Sequence, residues 1–151
     1  MKHLLIVYHS QSGTNARLAQ AALRGALQEE GTETRLLRAV DADTSDLLWA
    51  DGVLFGAAEN FGYLAGGLTD FLARTFYPAQ MQPRSWVYGT FIGTGNDGSG
   101  AVRQLQRIAR GYPMREVAEP LVLRGPVIDT ALARCEELGL TLAAGLAMGI
   151  F

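Results

Sequence analysis

Cysteine is almost missing: among 151 residues there is one, Cys135. A lone thiol closes no internal disulfide and builds no cysteine-based zinc site, and it fits a reducing compartment. Lysine is equally scarce. Lys2 stands alone, and arginine carries the rest of the positive charge. Charged residues make up 19% of the chain, the formal net charge is −2, and no polybasic segment occurs. That balance argues against general nucleic-acid binding. Long apolar runs are also lacking. The run Leu4 to Tyr8 has no small-residue cleavage site behind it, so it does not read as a signal peptide. The apolar tail Leu138 to Phe151 is shorter than the ~20 residues of a membrane span, and Thr141 interrupts it. The expectation is a soluble cytoplasmic protein with no membrane partner. Nor is there an internal repeat, a low-complexity segment or a linker, so residues 1–151 are expected to form one domain.

What is present is apolar residue, 48% of the chain, laid out in alternating periods. Leu4-Leu5-Ile6-Val7-Tyr8 and Val53-Leu54-Phe55-Gly56 are short unbroken apolar runs, the mark of strands covered on both faces. Trp86 to Ile92 is a third, Glu33 to Arg38 reads as a short edge strand, and Val117 to Leu123 as a last strand interrupted by Pro120. Between them lie helical stripes. Leu18, Ala22, Leu23, Ala26 and Leu27 form one within Thr14 to Glu30, stopped by Gly31. Asp43 to Ala50 offers a brief helix. Leu68 to Phe76 forms another, with Pro78 and Pro83 bounding the connection that follows. Ala101, Val102, Leu105, Ile108 and Ala109 make the next stripe, and a closing helix starts near Asp129. The βαβαβαβαβα alternation predicts an α/β fold, a doubly wound parallel sheet of five strands. Ligands in such folds bind outside the carboxyl ends of the strands, where the strand order reverses.

Three polar loops leave the first, third and fourth strands and should meet there. His9-Ser10-Gln11-Ser12-Gly13-Thr14-Asn15 joins a buried strand to a helix start. Its hydroxyls and free backbone N–H groups suit a phosphate without adding charge. No G-x-x-x-x-G-K-[ST] or G-x-G-x-x-G follows the strand, which excludes a triphosphate P-loop and weakens a dinucleotide reading. Taken alone, the loop reads first as an ordinary serine-capped turn.

Ser10-Gln11-Ser12-Gly13-Thr14-Asn15 resembles the T-x-T-G-x-T phosphate loop of the flavodoxin-like superfamily. Gly56 to Gly67, with Glu59-Asn60-Phe61-Gly62-Tyr63 at its centre, resembles the second flavin loop of FMN-dependent NAD(P)H:quinone or FMN reductases. Gly93-Thr94-Gly95-Asn96-Asp97-Gly98-Ser99-Gly100 resembles their third. The resemblance implies a flavodoxin-like sheet of order 2-1-3-4-5 and FMN as cofactor. Ser10, Ser12, Gly13, Thr14 and Asn15 would then hold the phosphate. Phe61 or Tyr63 would border the ring. Glu59, Asn60, Gly62, Thr94, Gly95, Asn96 and Gly98 would line its polar edge. It further implies an oxidoreductase passing electrons from NAD(P)H to a quinone, flavin or similar small redox substrate. A flavodoxin-type electron carrier without substrate turnover is the alternative, and a flavin-free interaction module a third.

Other residues have plainer readings. His9 touches the phosphate, acts in proton transfer or is structural. His3 is surface, and Asp97 is a solvent-facing turn residue. Arg103, Arg107 and Arg110 are a solvated helical face or attract cofactor phosphates. Trp49 and Trp86 read as core, and Cys135 as a small hydrophobe. Gly139, Gly145 and Gly149 permit close packing, within the chain or across a homodimer.

Overall fold

Leu4, Leu5, Ile6 and Val7 are completely buried, and they form the centre of β1 (Lys2–Tyr8). Such a run needs cover on both faces, and the computed structural model, which describes residues 1–151, shows where it comes from. Successive strand side chains point to opposite faces. Leu5 and Val7 therefore enter one core, and Leu4 and Ile6 the other. The chain continues through α1 (Thr14–Ala26), β2 (Thr32–Arg38), α2 (Thr44–Trp49) and β3 (Gly52–Ala57). A small hairpin, β4 (Glu59–Asn60) and β5 (Tyr63–Leu64), precedes α3 (Gly66–Gln80) and β6 (Trp86–Thr94). Then come α4 (Ser99–Gly111), β7 (Met114–Glu116), β8 (Leu121–Arg124) and α5 (Asp129–Met148).

The main sheet is parallel throughout, in the order β2-β1-β3-β6-β7, with β8 also on β6. This is the expected 2-1-3-4-5 order, its fifth place shared by two short strands. Leu18, Ala22 and Ala26 of α1 and Cys135, Leu142 and Leu146 of α5 cover one face. Leu47 of α2, Phe71 and Leu72 of α3, and Leu105 and Ala109 of α4 cover the other. The Cys135 thiol is buried and pushed up to about 12 by loss of solvent, so it packs as a hydrophobe. Two glycines set the distance between α1 and α5. A Cβ on Gly25 would lie 1.7 Å from the Glu136 carbonyl oxygen, and one on Gly139 would lie 1.9 Å from that of Ala22. Gly145 seats the Phe151 ring, and Gly149 ends α5 in the left-handed region at φ 67°.

Several expectations need correction. The last strand is not continuous over Val117 to Leu123: β7 ends at Glu116 and β8 begins at Leu121. Pro120 has no N–H to give the ladder, and the chain steps away from β6 before rejoining it. The third helix does not stop at Phe76 but runs to Gln80 with Pro78 inside it. Pro78 lies exposed in the last turn, so its missing N–H and its ring disturb only the end of the helix. The first helix ends at Ala26 rather than Glu30, because Gln28 and Glu29 donate to Gly25 and Ala26 and tighten the chain out of α-geometry. His3 is no free surface residue. Its ring stacks on Trp49 at 4.4 Å, with Arg35 over the indole at 3.9 Å. Trp49 is accordingly a half-exposed ring packed on the side chains of His3 and Arg35, whereas Trp86 is core and donates its indole N–H to the Leu47 carbonyl.

Candidate functional site

Thr14 is the first residue of α1, and Gly13 precedes it at φ 96°, a conformation that glycine adopts without strain. No side chain caps this helix. Ser10 Oγ accepts the N–H of Gly13 at 3.1 Å, which folds the turn back on itself. The N–H groups of Ser12, Thr14, Asn15 and Ala16 donate to no protein acceptor. Four open donors at the positive end of a helix dipole form an anion site.

The neighbouring helix is built the opposite way. Glu59 reaches across from the hairpin, and one carboxylate oxygen accepts the N–H groups of Gly100 at 2.9 Å and Ala101 at 3.2 Å. Asp97 accepts both the N–H and the hydroxyl of Ser99 at 3.0 Å, and these bonds hold its carboxyl below the usual range. The start of α4 is thus saturated by two carboxylates, while the start of α1 is left open.

A cavity of about 480 Å³ adjoins the open end. Ser12, Thr14 and Asn15 form one wall, Ala58, Glu59 and Asn60 a second, and Gly93, Thr94 and Gly95 a third. The three loops therefore do converge at the carboxyl ends of β1, β3 and β6. Gln11 and Gly125 also line the cavity, neither singled out from the sequence. Gly125, at φ 77°, donates its N–H to the Thr94 carbonyl at 3.0 Å. The Gly125-Pro126 pair directly after a strand was its visible signal. A second cavity of about 500 Å³, between Lys2, Trp86 and Phe151, lies at the amino ends of the strands. It has no helix N-terminus open to it and lies opposite the end at which such sheets bind ligands.

The other anticipated site residues divide by what they touch. Asn60 Nδ2 donates to Gln11 Oε1 at 2.9 Å, tying the hairpin to the first loop. Thr94 Oγ1 accepts the N–H of Asn96 at 3.1 Å and holds the third loop in a tight bend. Asn15 is 3% exposed and has its side-chain amide committed to Gly93. Gly98 ends its loop at φ 73° against Val122, outside the cavity wall. Phe61 and Tyr63 stand at the hairpin rim, 97% and 61% exposed. His9 lies off the cavity wall, its ring against Gly67. Arg103, Arg107 and Arg110 point into solvent along α4.

Phe61 and Gly62, at φ 55° and 73°, are the two central residues of the hairpin turn. A left-handed aromatic costs about 1–2 kcal/mol, and this one recovers nothing by burial. Replacing Phe61→Asn creates the Asn-Gly pair that such turns prefer. It is expected to raise stability by about 1 kcal/mol in urea denaturation.

No family model matches the chain. A flavodoxin of Aquifex aeolicus is 34% identical over 71 residues, 47% of this chain and 38% of that protein. An NAD(P)H dehydrogenase (quinone) of Geotalea daltonii is 31% identical over 114 residues, 60% of this chain and 52% of that protein. The matches thus span about half or less of the length of these curated relatives. The solved structure of a flavodoxin from the domain Archaea superposes with a TM-score of 0.83 at 20% identity, covering 95% of this chain and 98% of that one. The fold is flavodoxin-like. In sequence the chain resembles both flavodoxins and NAD(P)H quinone dehydrogenases. No helix is long and apolar enough to cross a membrane.

Proposed function

We propose that this chain is an FMN-binding oxidoreductase that takes electrons from NAD(P)H and delivers them to a quinone, a flavin or a similar small acceptor. The observation that carries this reading is the uncapped start of α1, where unpartnered N–H groups open into a cavity with no lysine or arginine in its wall. Such a site suits a phosphate monoester neutralised by dipoles. Ser12, Gly13 and Thr14 would hold the phosphate, aided by the backbone of Asn15. Thr94, Gly95, Asn96 and Asn60 would face the polar edge of the ring, and Phe61 and Tyr63 its apolar surface. Ser10, Glu59, Gly62 and Gly98 would act by shaping the loops. Bound FMN would supply the hydride and electron chemistry, which no side chain here provides. The relatives support a redox role of this kind, and the buried thiol fits the cytoplasm. A small redox substrate as partner, and a homodimer, belong to the same reading; neither nucleic acid nor membrane does.

The test begins with purified protein titrated with FMN and FAD. FMN is expected to bind in preference, and FAD as the sole ligand would show that the loop was misread. Anaerobic NADH or NADPH should then bleach the bound flavin saturably, and a quinone should restore the colour. Bleaching only by a separate reductase protein replaces the enzyme with an electron carrier, the role suggested by the flavodoxin relative.

A further inference from the structure

β6 outruns its neighbour. Pairing with β3 ends at Ala57 opposite Ile92, so the next residue, Gly93, has no strand beside it on that side. Asn15 fills the place. Its Oδ1 accepts the Gly93 N–H at 3.1 Å, and its Nδ2 donates to the Gly93 carbonyl at 3.3 Å. One side-chain amide thereby does what a peptide group of an adjacent strand would do. The fit is close, since a Cβ on Gly93 would stand 2.9 Å from Asn15 Oδ1 and 3.0 Å from Leu18 Cδ1. The backbone N–H of the same asparagine is one of the open donors at the start of α1.

We infer that Asn15 is a positioning residue. Its side chain does not contact the ligand but fixes the distance between the anion-binding turn and the loop from Gly93 to Gly95, so that a two-part ligand engages both at once. The inference rests on the flavin reading and adds a division of labour to it. A ligand held at two subsites gains from their fixed separation, and that gain vanishes when the spacing floats, although each subsite alone is intact.

Three ligands separate the parts: FMN uses both subsites, riboflavin only the ring subsite, and inorganic phosphate only the turn. In Asn15→Ala, FMN affinity should fall by about tenfold or more. Affinities for riboflavin and phosphate should stay at the wild-type values. Asn15→Leu removes the same two hydrogen bonds but keeps the bulk and should give the same pattern, which guards against one variant failing to fold. Equal loss for phosphate and FMN would make Asn15 a direct phosphate ligand and overturn the inference. Equal loss for all three ligands together with a lower melting temperature would make it a fold residue and overturn it too, as would unchanged FMN affinity. Wild-type protein that binds no flavin overturns the flavin reading itself, and the inference with it.

Discussion

Gly139→Ala should lower stability although alanine is the better helix former. The propensity gain is about 1 kcal/mol. Against it, the new Cβ would fall 1.9 Å from the Ala22 carbonyl oxygen, and a backbone atom cannot rotate aside. The helices must separate, loosening Leu18, Ala22 and Leu142 where they pack under the sheet. Overpacking of this kind costs about 1–3 kcal/mol or more. A backbone clash this short belongs at the upper end of that range, so the expected net loss is about 2 kcal/mol, a fall in melting temperature of roughly 4–8 °C for a chain of this size. Gly25→Ala should behave alike, because its Cβ would meet Glu136 at the same crossing. The double variant should cost less than the two losses added, since helices already moved apart accommodate the second methyl. Gly66→Ala is the control. Nothing lies within 4 Å of its Cβ position, so it should stabilise by up to about 1 kcal/mol. Thermal and urea unfolding of the four proteins decide the matter, and a neutral Gly139→Ala would mean that the two helices are not held at this spacing.

Ser12→Glu is expected to abolish tight FMN binding while making the empty protein more stable. The added carboxylate can reach the unpartnered N–H groups of Thr14, Asn15 and Ala16 and cap α1, as Glu59 and Asp97 cap α4. A negative charge at a helix start contributes about 0.3–1 kcal/mol. For a phosphate the same carboxylate is a competitor and a like charge. Two unit charges 4 Å apart repel by about 4 kcal/mol at an effective dielectric of 20. Even half of that weakens binding by about thirtyfold. Calorimetric titration with FMN and thermal unfolding without it should move in opposite directions. An unchanged dissociation constant would remove the first loop from the site.

The alternation of strands and helices, the sheet order and the meeting of three loops could be read from the sequence because each depends on local periodicity and on handed connections. What escaped was the choice of partners across the fold. Glu59 and Asn15 look like ligand donors in a polar loop, yet their acceptors and donors lie 41 and 78 residues away. No local pattern states that one carboxylate will cap a distant helix, or that one amide will extend a ladder. The hairpin of β4 and β5 escaped for a different reason, because two-residue strands have no period to detect. Pro78 and Pro120 both read as interruptions in the sequence. One fell on an exposed last turn and was tolerated; the other broke the strand into two.

That broken strand has a consequence for how copies of the chain meet at high concentration. A sheet rim with a long unpaired row of N–H and C=O groups is a template for cross-chain pairing and fibril growth. Here the rim beyond β6 presents only three residues of β7 and four of β8, separated by a proline-containing step. The opposite rim, β2, carries Glu33, Arg35 and Arg38 along its length. Each boundary of the sheet is thus either too short or too charged to recruit another strand, and a protein with 48% apolar residues is kept from polymerising edge to edge.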